Sequence, residues 1–318
     1  MAAPFPANVA FIAPPKIAAG NVTRDLDLTD DELLSALDLT ARVKSHPARF
    51  SQALAGQFLT LLFEKQSLRT RATFEIAIKQ LGGDAVVSIG PIAEREPVKD
   101  VARNFDRWTH GIVARTFSQQ TVDELAHWAG VPVINGLSDL YHPCQALADM
   151  FTLQEHFGDL RGLKLAFIGD GNNVAHSLML CASRLGMHFT LGCPAGYEPN
   201  AAIVAEAASF AHANGVSLDI THDAAAAVAG AHAVYTDVWT SMGQEQEREQ
   251  RLHDFAGFQV NSSLFAKARP EARFMHCLPA HRGEEVADDV IECRNSVVFD
   301  QAENRLHVQK ALLLMLLS

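Results

Sequence analysis

The spacing of hydrophobic residues changes within residues 59–83, and this change predicts a strand that passes directly into a helix. Residues 59–63 form a short apolar run of strand length. Hydrophobic positions then recur at the helical spacing i, i+3, i+4 and i+7, at Phe74, Ala77, Ile78 and Leu81. The pair Gly82 and Gly83 predicts the end of this helix.

Strand-like runs and helical stripes alternate along most of the remaining chain. The other predicted strands are residues 85–89, 111–117, 131–135, 164–168, 189–193, 217–221, 233–239, 274–278 and 296–299. Such alternation with short connections is typical of parallel sheets covered by helices. The sequence therefore predicts an α/β fold made of two doubly wound parallel-sheet domains linked by helices.

The domain limits are placed where a polar loop and a helix that starts with proline interrupt the alternation of strands and helices. We predict a first domain at residues 1–142 and a second at 143–302, with a bridging helix at about 143–157 that starts at Pro143. A last helix, 303–318, is expected to return to the first domain. No fixed-period repeat relates the two halves, so any similarity between them is one of architecture.

The joint between the first strand and its helix carries Ser67, Leu68, Arg69 and Thr70. Backbone N–H groups, hydroxyls and a guanidinium meet there at the positive end of a helix dipole, which favours an anion such as phosphate. The alternative is a serine N-cap followed by solvated arginines. A P-loop is not indicated, because no glycines precede the hydroxyls and no lysine stands in the Walker position.

Composition narrows the possible partners. The 318-residue chain has a net charge of -11, which argues against nucleic-acid binding. Its five cysteines lack CxxC spacing, which indicates reduced thiols and a cytoplasmic location. The first 20 residues form a proline-broken arm that makes a poor signal peptide. The longest apolar run, 311–317, is far shorter than the ~20 residues that a membrane span needs.

Polar residues follow several of the predicted strands, where ligands bind in open α/β sheets. They are Ser67 to Thr70, Arg115, His142 with Gln145, Asn173, Asp237 with Ser241 and Met242, and Cys277 with Leu278. Each has a simpler explanation: a surface cation for Arg115, a helix cap for His142 or Asp237, and a buried apolar thiol for Cys277. Their coincidence at strand ends favours one shared site.

The segment GDGNNV, residues 169–174, resembles a nucleotide-binding turn because it follows a strand and opens a helix. The third glycine of the dinucleotide fingerprint is missing, and the next strand ends in Gly192-Cys193-Pro194 without the acid that would hold a ribose. An NAD-dependent oxidoreductase therefore rests on this turn alone. The amide of Asn173 can both donate and accept, which suits an amino-acid ligand.

Several long motifs resemble the aspartate/ornithine carbamoyltransferase family, and its ornithine branch in particular. FEKQSLRTRATFE is similar to the family's carbamoyl-phosphate signature and NGLSDLYHPCQALAD to its second signature. IGDGNNVAHS, DVWTSMGQE, HCLPAHRGEEV and AENRLHVQKA resemble segments of the ornithine branch. The likeness covers nearly the whole chain after the N-terminal arm.

This resemblance implies an activity and a set of site residues. The enzyme would transfer the carbamoyl group of carbamoyl phosphate to the δ-amine of L-ornithine, giving L-citrulline for arginine biosynthesis, as a homotrimer without metal or cofactor. Carbamoyl phosphate would be bound by Ser67, Leu68, Arg69, Thr70, Arg115, His142, Gln145, Cys277, Leu278 and Arg305. Ornithine would be bound by Asn173, Asp237, Ser241 and Met242. Arg115, His142, Asp237 and Cys277 would be catalytic.

The amine nucleophile poses a chemical question, because its pKa near ~10 leaves it mostly protonated at neutral pH. Asp237 and Cys277 are the groups expected to favour its neutral form or to take its proton. We expect Cys277, beside Asp237, to tune the bound amine.

Two departures from the family pattern are notable. Leu68 replaces a threonine of the phosphate signature, and Glu96-Pro97 stands where the family has a Glu-Ser loop that reaches a neighbouring subunit. The open alternatives are a carbamoyltransferase for another amine, such as N-acylornithine, putrescine or aspartate, and a non-catalytic relative that binds carbamoyl phosphate or amino acids.

Overall fold

A computed structural model describes residues 14–65, 67–240 and 245–318 of the chain. The first half contains a parallel sheet with the strand order β2-β1-β3-β4. Its strands are β1 (Phe58–Phe63), β2 (Asp84–Ile89), β3 (Gly111–Arg115) and β4 (Val133–Leu137). The helices of this half are α1 (Asp30–Ser45), α2 (Leu68–Gln80), α3 (Val98–Trp108) and α4 (Gln119–Trp128).

The predicted strand-to-helix stretch is confirmed as β1 followed by α2. β1 lies between β2 and β3, and Leu61 pairs with Val87 on one side and Val113 on the other. A central strand is covered on both faces, which explains why its side chains are apolar almost without alternation. After α2 the chain turns at Gly82, whose φ of +94° is a left-handed conformation that favours glycine.

The second half contains a parallel sheet with the order β7-β6-β5-β8-β9. Its strands are β5 (Lys164–Ile168), β6 (His188–Gly192), β7 (Leu218–Thr221), β8 (Ala233–Thr236) and β9 (Arg273–His276). The helices of the second half are α6 (Asn173–Arg184), α7 (Ala201–Asn214), α8 (Ala224–Val228), α9 (Arg248–Asp254), α10 (Ser262–Phe265) and α11 (Asp288–Ile291). Two parallel α/β sheets therefore match the predicted fold class.

Two long helices connect the halves: α5 (Pro143–Phe157) and α12 (Val298–Leu317). α12 packs against α5 and also against α1, α2 and β9, so it touches both halves. One large hydrophobic core runs through this junction, and two smaller cores cover the outer faces of the two sheets. The domain limits at 1–142, 143–302 and 303–318 stay a prediction.

The strand predicted at residues 296–299 is wrong. Ser296 makes only an isolated bridge to Phe274, and α12 already begins at Val298 rather than at about Glu303. The apolar pair at 297–298 is buried because the chain passes beside β9 before it enters the helix. Burial alone cannot distinguish these two conformations in so short a run.

No helix within residues 14–65, 67–240 and 245–318 is both long and apolar enough to cross a membrane. Residues 1–13 of the predicted N-terminal arm lie outside the described part of the chain.

Candidate functional site

A cavity of about 1190 Å³ lies at the carboxyl ends of both sheets, between the two halves of the chain. The first half contributes the start of α2 and the ends of β3 and β4, and the second half contributes the ends of β5, β8 and β9. Most of the residues predicted from strand ends line this cavity, as does Arg305, which only the family resemblance implied. They are Ser67, Leu68, Arg69, Thr70, Arg115, His142, Asn173, Asp237, Cys277, Leu278 and Arg305. Ser241 and Met242 lie outside the described residues.

The start of α2 forms one end of the cavity. Ser67 occupies the N-cap position, but its side chain makes no capping hydrogen bond. This differs from the alternative in which serine serves only to cap the helix, and it leaves the hydroxyl and the first N–H groups turned to the cavity end. Leu68 is 75% exposed, so its side chain contributes little packing here. The helix start has the features of an anion site.

Three arginines converge at this same end. Arg305 donates from Nη2 to Oγ1 of the buried Thr70 at 2.6 Å, and Arg115 donates from Nη1 to the same oxygen at 3.3 Å. Burial and the charges of Arg305 and Arg69 lower the pKa of Arg115 to about 10. Burial also lowers the pKa values of Arg305 and Arg69. Positive charge gathered in a buried space requires a compensating anion.

His142 lies beside these arginines at the N-cap of α5. Its ring is buried, and burial together with Arg305 and Arg115 lowers its pKa well below the usual value for histidine. The imidazole is therefore neutral at physiological pH. Its backbone N–H donates to Oγ of Ser177 at 2.8 Å, while the buried Nδ1 atom has no hydrogen-bond partner among the described residues. A ligand in the cavity can supply that partner.

Gln145 does not line the cavity, in contrast to the other residues predicted to bind carbamoyl phosphate. It is buried one turn further along α5, behind Arg305. Its Oε1 accepts from Nη1 of Arg305 at 2.5 Å, and its Nε2 donates to Oδ1 of Asp149 at 2.8 Å. Arg305 thus stands between Gln145 and the open space.

The opposite end of the cavity centres on Asp237, which follows β8. Its Oδ1 accepts from the thiol of Cys277 at 3.0 Å and from the N–H of Val238 at 2.8 Å. Its Oδ2 accepts from Nδ2 of Asn172 at 3.0 Å. Burial and the Asp237 carboxylate raise the pKa of Cys277 well above the usual thiol range. Cys277 is therefore a neutral thiol that donates a hydrogen bond.

The turn after β9 is held by a buried histidine. Leu278 has a left-handed φ of 57°, which is unfavourable for a residue with a Cβ. Its N–H donates to Nδ1 of His276 at 2.8 Å, and Nε2 of His276 lies 3.1 Å from Glu285. Since Nδ1 accepts, Nε2 carries the proton and donates to that carboxylate. This arrangement fixes the backbone that places Cys277 beside Asp237.

Asn173 lies on the cavity wall, but most of its amide is already engaged. Its Nδ2 donates to the carbonyl of Ser138 at 2.6 Å, and its Oδ1 accepts from the N–H of Val174 at 3.0 Å. One N–H and one lone pair remain for a ligand. The preceding Asn172, which also follows β5, caps α6 and contacts Asp237.

The glycines of GDGNNV have a local structural reason. A Cβ at Gly171 would come within 2.3 Å of the backbone nitrogen of Pro199, and Gly169 has a φ of +144°. The turn therefore needs glycine for close packing and for a left-handed conformation, independently of any nucleotide.

The cavity also contains a buried arginine, Arg251, that the sequence did not predict. Arg251 donates from Nη1 to Asp170 at 2.7 Å and to the carbonyl of Trp239 at 3.0 Å, and its guanidinium stacks on Tyr197. It lies on α9 in the charged segment 245–251, which in the sequence is typical of a solvated helix face. No local pattern indicated its burial.

Asp237, His276 and Cys277 also present potential metal ligands within 4.8 Å of one another. Both nitrogens of His276 are engaged, by Leu278 and by Glu285, so this group does not fit a metal site. A second group consists of His281, Glu284 and Glu285. One oxygen of Glu285 already accepts hydrogen bonds from Nε2 of His276 and from the N–H of His281.

The segment with Glu96-Pro97 begins α3, where Pro97 is the N-cap residue. Of the described residues that line the cavity, none comes from residues 90–100.

Two family models match most of the chain. The carbamoyl-P binding domain of aspartate/ornithine carbamoyltransferase matches residues 21–155, and the Asp/Orn binding domain of the same group matches residues 161–316. The boundary between the two matches falls just after α5.

Curated relatives and solved structures agree with these matches. An ornithine carbamoyltransferase from Thermus thermophilus is 52% identical over 290 residues, which cover 90% of this chain and 93% of the relative. One from Prochlorococcus marinus is 46% identical over 312 residues, covering 97% and 100%. The structure of ornithine carbamoyltransferase from Pyrococcus furiosus matches with a TM-score of 0.92 at 45% identity, covering 95% of this chain and 98% of that one.

Proposed function

The chain belongs to the aspartate/ornithine carbamoyltransferase family, and from this premise we propose that it transfers the carbamoyl group of carbamoyl phosphate to the δ-amine of L-ornithine. The products are L-citrulline and phosphate. The observation that carries the proposal is the polarity of the cavity, with arginines at one end and the Asp237–Cys277 pair at the other. One end suits a phosphate and the other an amine.

Carbamoyl phosphate binds with its phosphate at the start of α2. The N–H groups at Leu68 and Arg69, the hydroxyls of Ser67 and Thr70 and the guanidinium of Arg69 are the donors for its oxygens. Leu68 lacks the hydroxyl that a threonine would supply but keeps its backbone N–H. The phosphate therefore depends mainly on main-chain donors and on arginine.

The carbamoyl group lies deeper, against Arg115, His142 and Arg305. Negative charge grows on its carbonyl oxygen as the amine attacks and then passes to the departing phosphate. Cations and a neutral imidazole already held in place stabilise this charge without reorganisation. The convergence of Arg115 and Arg305 on Thr70 supports this assignment, since both guanidinium groups are fixed before substrate arrives.

Ornithine binds at the other end of the cavity. Asp237 faces its δ-nitrogen, Asn173 contributes its remaining amide positions, and Leu278 lies with Cys277 beside the attacking atom. Ser241 and Met242 are assigned to ornithine from the family motif alone. In the reaction the δ-nitrogen forms a bond to the carbamoyl carbon, the bond from that carbon to the phosphate oxygen breaks, and the nitrogen releases a proton.

Asp237 is the better candidate to receive a proton from the substrate ammonium. The thiol of Cys277 already carries its own proton and donates a hydrogen bond to Asp237, and burial raises its pKa. The Asp237 carboxylate accepts from three donors, which hold its orientation, and it can steer the amine toward the carbamoyl carbon.

We further propose a cytoplasmic homotrimer that serves arginine biosynthesis. The five cysteines are all free thiols, which suits a reducing compartment. Apolar side chains are exposed on and beside the edge strand β2, including Phe58, Val86 and Ile89. An exposed apolar sheet edge is typical of a surface covered by another subunit. Light scattering coupled to size-exclusion chromatography tests the trimer.

The activity is tested by incubating the purified protein with carbamoyl phosphate and one acceptor at a time: ornithine, N-acetylornithine, putrescine or aspartate. We expect ureido product with ornithine and little with the others. Product from another amine alone would reassign the acceptor, and no product from any amine would favour a non-catalytic relative. Adding NADH and following its fluorescence tests the oxidoreductase alternative in the same preparation.

A further inference from the structure

A continuous series of hydrogen bonds runs behind the phosphate end of the cavity. Oγ1 of Thr70 accepts from Arg305, Oε1 of Gln145 accepts from Arg305, and Nε2 of Gln145 donates to Oδ1 of Asp149, over 2.6, 2.5 and 2.8 Å. All four side chains are at most 3% exposed. Thr70 and Arg305 line the cavity, whereas Gln145 and Asp149 do not.

A second branch meets the first at the same carboxylate oxygen. Nε2 of Gln301 donates to Oδ1 of Asp149 at 2.8 Å, and Oε1 of Gln301 accepts from the backbone N–H of His276 at 3.0 Å. His276 directly precedes Cys277, so this branch leads to the end of the cavity that Asp237 and Cys277 form. Asp149 is therefore the buried acceptor at which hydrogen bonds from both ends of the cavity meet.

The two amide orientations are determined by groups that can only donate. A guanidinium has no acceptor, so Gln145 must turn its Oε1 to Arg305 and its Nε2 to Asp149. A backbone N–H likewise requires Oε1 of Gln301, which leaves Nε2 of Gln301 for Asp149. Both amides thus point an N–H at Oδ1, and this geometry requires an acceptor at position 149.

Removing the carboxylate of Asp149 would affect Arg305 indirectly, through Gln145. Nε2 of Gln145 would lose its partner in a space without water contact, and rotating the amide to satisfy it would turn an NH₂ group against the guanidinium. No described carboxylate forms an ion pair with Arg305. Its hydrogen bonds go to Gln145 and Thr70, and the charge of Asp149 behind Gln145 also favours the charged guanidinium.

We propose that Asp149 is a positioning residue for carbamoyl phosphate, which acts by fixing the amide of Gln145 so that this amide holds Arg305 against the substrate. The inference rests on the proposed function, because it assigns carbamoyl phosphate to the arginine end of the cavity. It adds Asp149, which lies behind the cavity wall and acts without touching the substrate.

The test is the dissociation constant of freshly prepared carbamoyl phosphate, measured by calorimetry at pH 8 without ornithine. Burial raises the pKa of Asp149 to about 7, so the group is largely ionised at that pH. Asp149→Leu removes the acceptor, and we expect binding to weaken by about tenfold or more. Asp149→Asn keeps an acceptor oxygen, and we expect it to restore affinity to within about threefold of the wild type.

Gln301→Leu is the matched control, because it removes the other amide from the same carboxylate oxygen at equal depth. It is expected to lower the melting temperature, as Asp149→Leu does, while leaving the affinity for carbamoyl phosphate within about threefold. Equal weakening by the two leucine variants would overturn the proposal, because it would reveal a purely structural role. So would wild-type affinity in Asp149→Leu, or equal loss in Asp149→Asn and Asp149→Leu.

If Asp149→Leu does not fold, Gln145→Leu tests the same link from the other side. It removes the acceptor for Arg305 and leaves Asp149 unchanged, and wild-type affinity in this variant would overturn the proposal. The citrulline assay on the wild type is separate. A wild type that binds carbamoyl phosphate but forms no ureido product refutes the proposed function. The dissociation constants of wild type and variants can still be compared in that case.

Discussion

The thiol of Cys277 donates to Oδ1 of Asp237 over 3.0 Å and so joins the ends of two neighbouring strands, β9 and β8. A thiol in this position occupies one lone pair of the carboxylate and limits the directions in which it can accept another hydrogen bond. The pair therefore fixes the orientation of the carboxylate that we propose faces the substrate amine.

We predict that Cys277→Ala lowers kcat for citrulline formation by about tenfold, because the Asp237 carboxylate loses the donor that orients it. Cys277→Ser keeps a donor and is expected to retain more activity than Cys277→Ala. Full pH–rate profiles at saturating substrates provide the measurement. An unchanged turnover number and an unchanged profile in Cys277→Ser would show that the pair does not tune the amine.

Arg69 and Leu68 are neighbours at the start of α2, and we predict very different effects from their replacement. Arg69→Ala removes a charged donor for phosphate and is expected to raise KM for carbamoyl phosphate by about 10- to 100-fold. Leu68→Thr changes a side chain that is 75% exposed and adds one hydroxyl to a site already supplied by main-chain N–H groups. It should change KM by less than about threefold.

Initial rates at varied carbamoyl phosphate and the inhibition constant of inorganic phosphate distinguish these variants. Equal effects of Arg69→Ala and Leu68→Thr would mean that the phosphate binds elsewhere in the cavity.

His142 is predicted to stay neutral while it stabilises the developing oxyanion. Burial and two nearby arginines lower its pKa well below the usual value, so the ring does not titrate between pH 6 and pH 8. His142→Ala should lower kcat by about a hundredfold, as expected for the loss of an oxyanion donor, without moving either limb of the pH profile. The NMR shift of its ring proton, followed across that pH range, gives a direct check. A sigmoidal titration near pH 6.5, as in an unfolded chain, contradicts the prediction.

Asp25 is predicted to make stability depend on pH. This buried carboxyl accepts from Oγ of Ser177 at 2.6 Å, and burial raises its pKa to about 6. The folded protein therefore keeps a proton between about pH 4 and pH 6 that the unfolded chain releases. Its contribution to stability is fully present at the acid side of this window and is lost as pH rises through it.

Asp25→Asn carries no such proton. The difference in the free energy of unfolding between variant and wild type should move in favour of the variant as pH rises from 4 to 7, by up to roughly 3 kcal/mol. Urea unfolding at a series of pH values measures this difference. A difference that is constant over the whole range would rule out the buried, protonated carboxyl.

The sequence was informative about the fold because its signals were local. The switch from an apolar run to helical spacing predicted β1 and α2, and the proline of α5 marked a helix that begins at Pro143. The prediction of a strand at 296–299 was wrong because two valines beside a strand are buried whether the backbone is extended or helical. Such a run carries no period by which to choose.

The candidate site was only partly accessible from the sequence. Residues directly after strands could be grouped, since the ends of parallel strands meet at one edge. Arg251 and Asp149 could not, because each is buried by elements distant in the chain and neither stands at a strand end. The location of Gln145 behind Arg305 also depends on a contact between α5 and α12 that no local pattern encodes.

α12 is the last helix of the chain, so Arg305 is the last residue of the site to be synthesised. A growing chain completes the first sheet, with Arg69 and Arg115, long before Arg305 is synthesised. Until α12 has been added, Thr70 lacks its 2.6 Å partner and Gln145 has no guanidinium to hold. A partly translated chain therefore lacks one of the three arginines that meet in the cavity, and its pocket is completed only by the last helix.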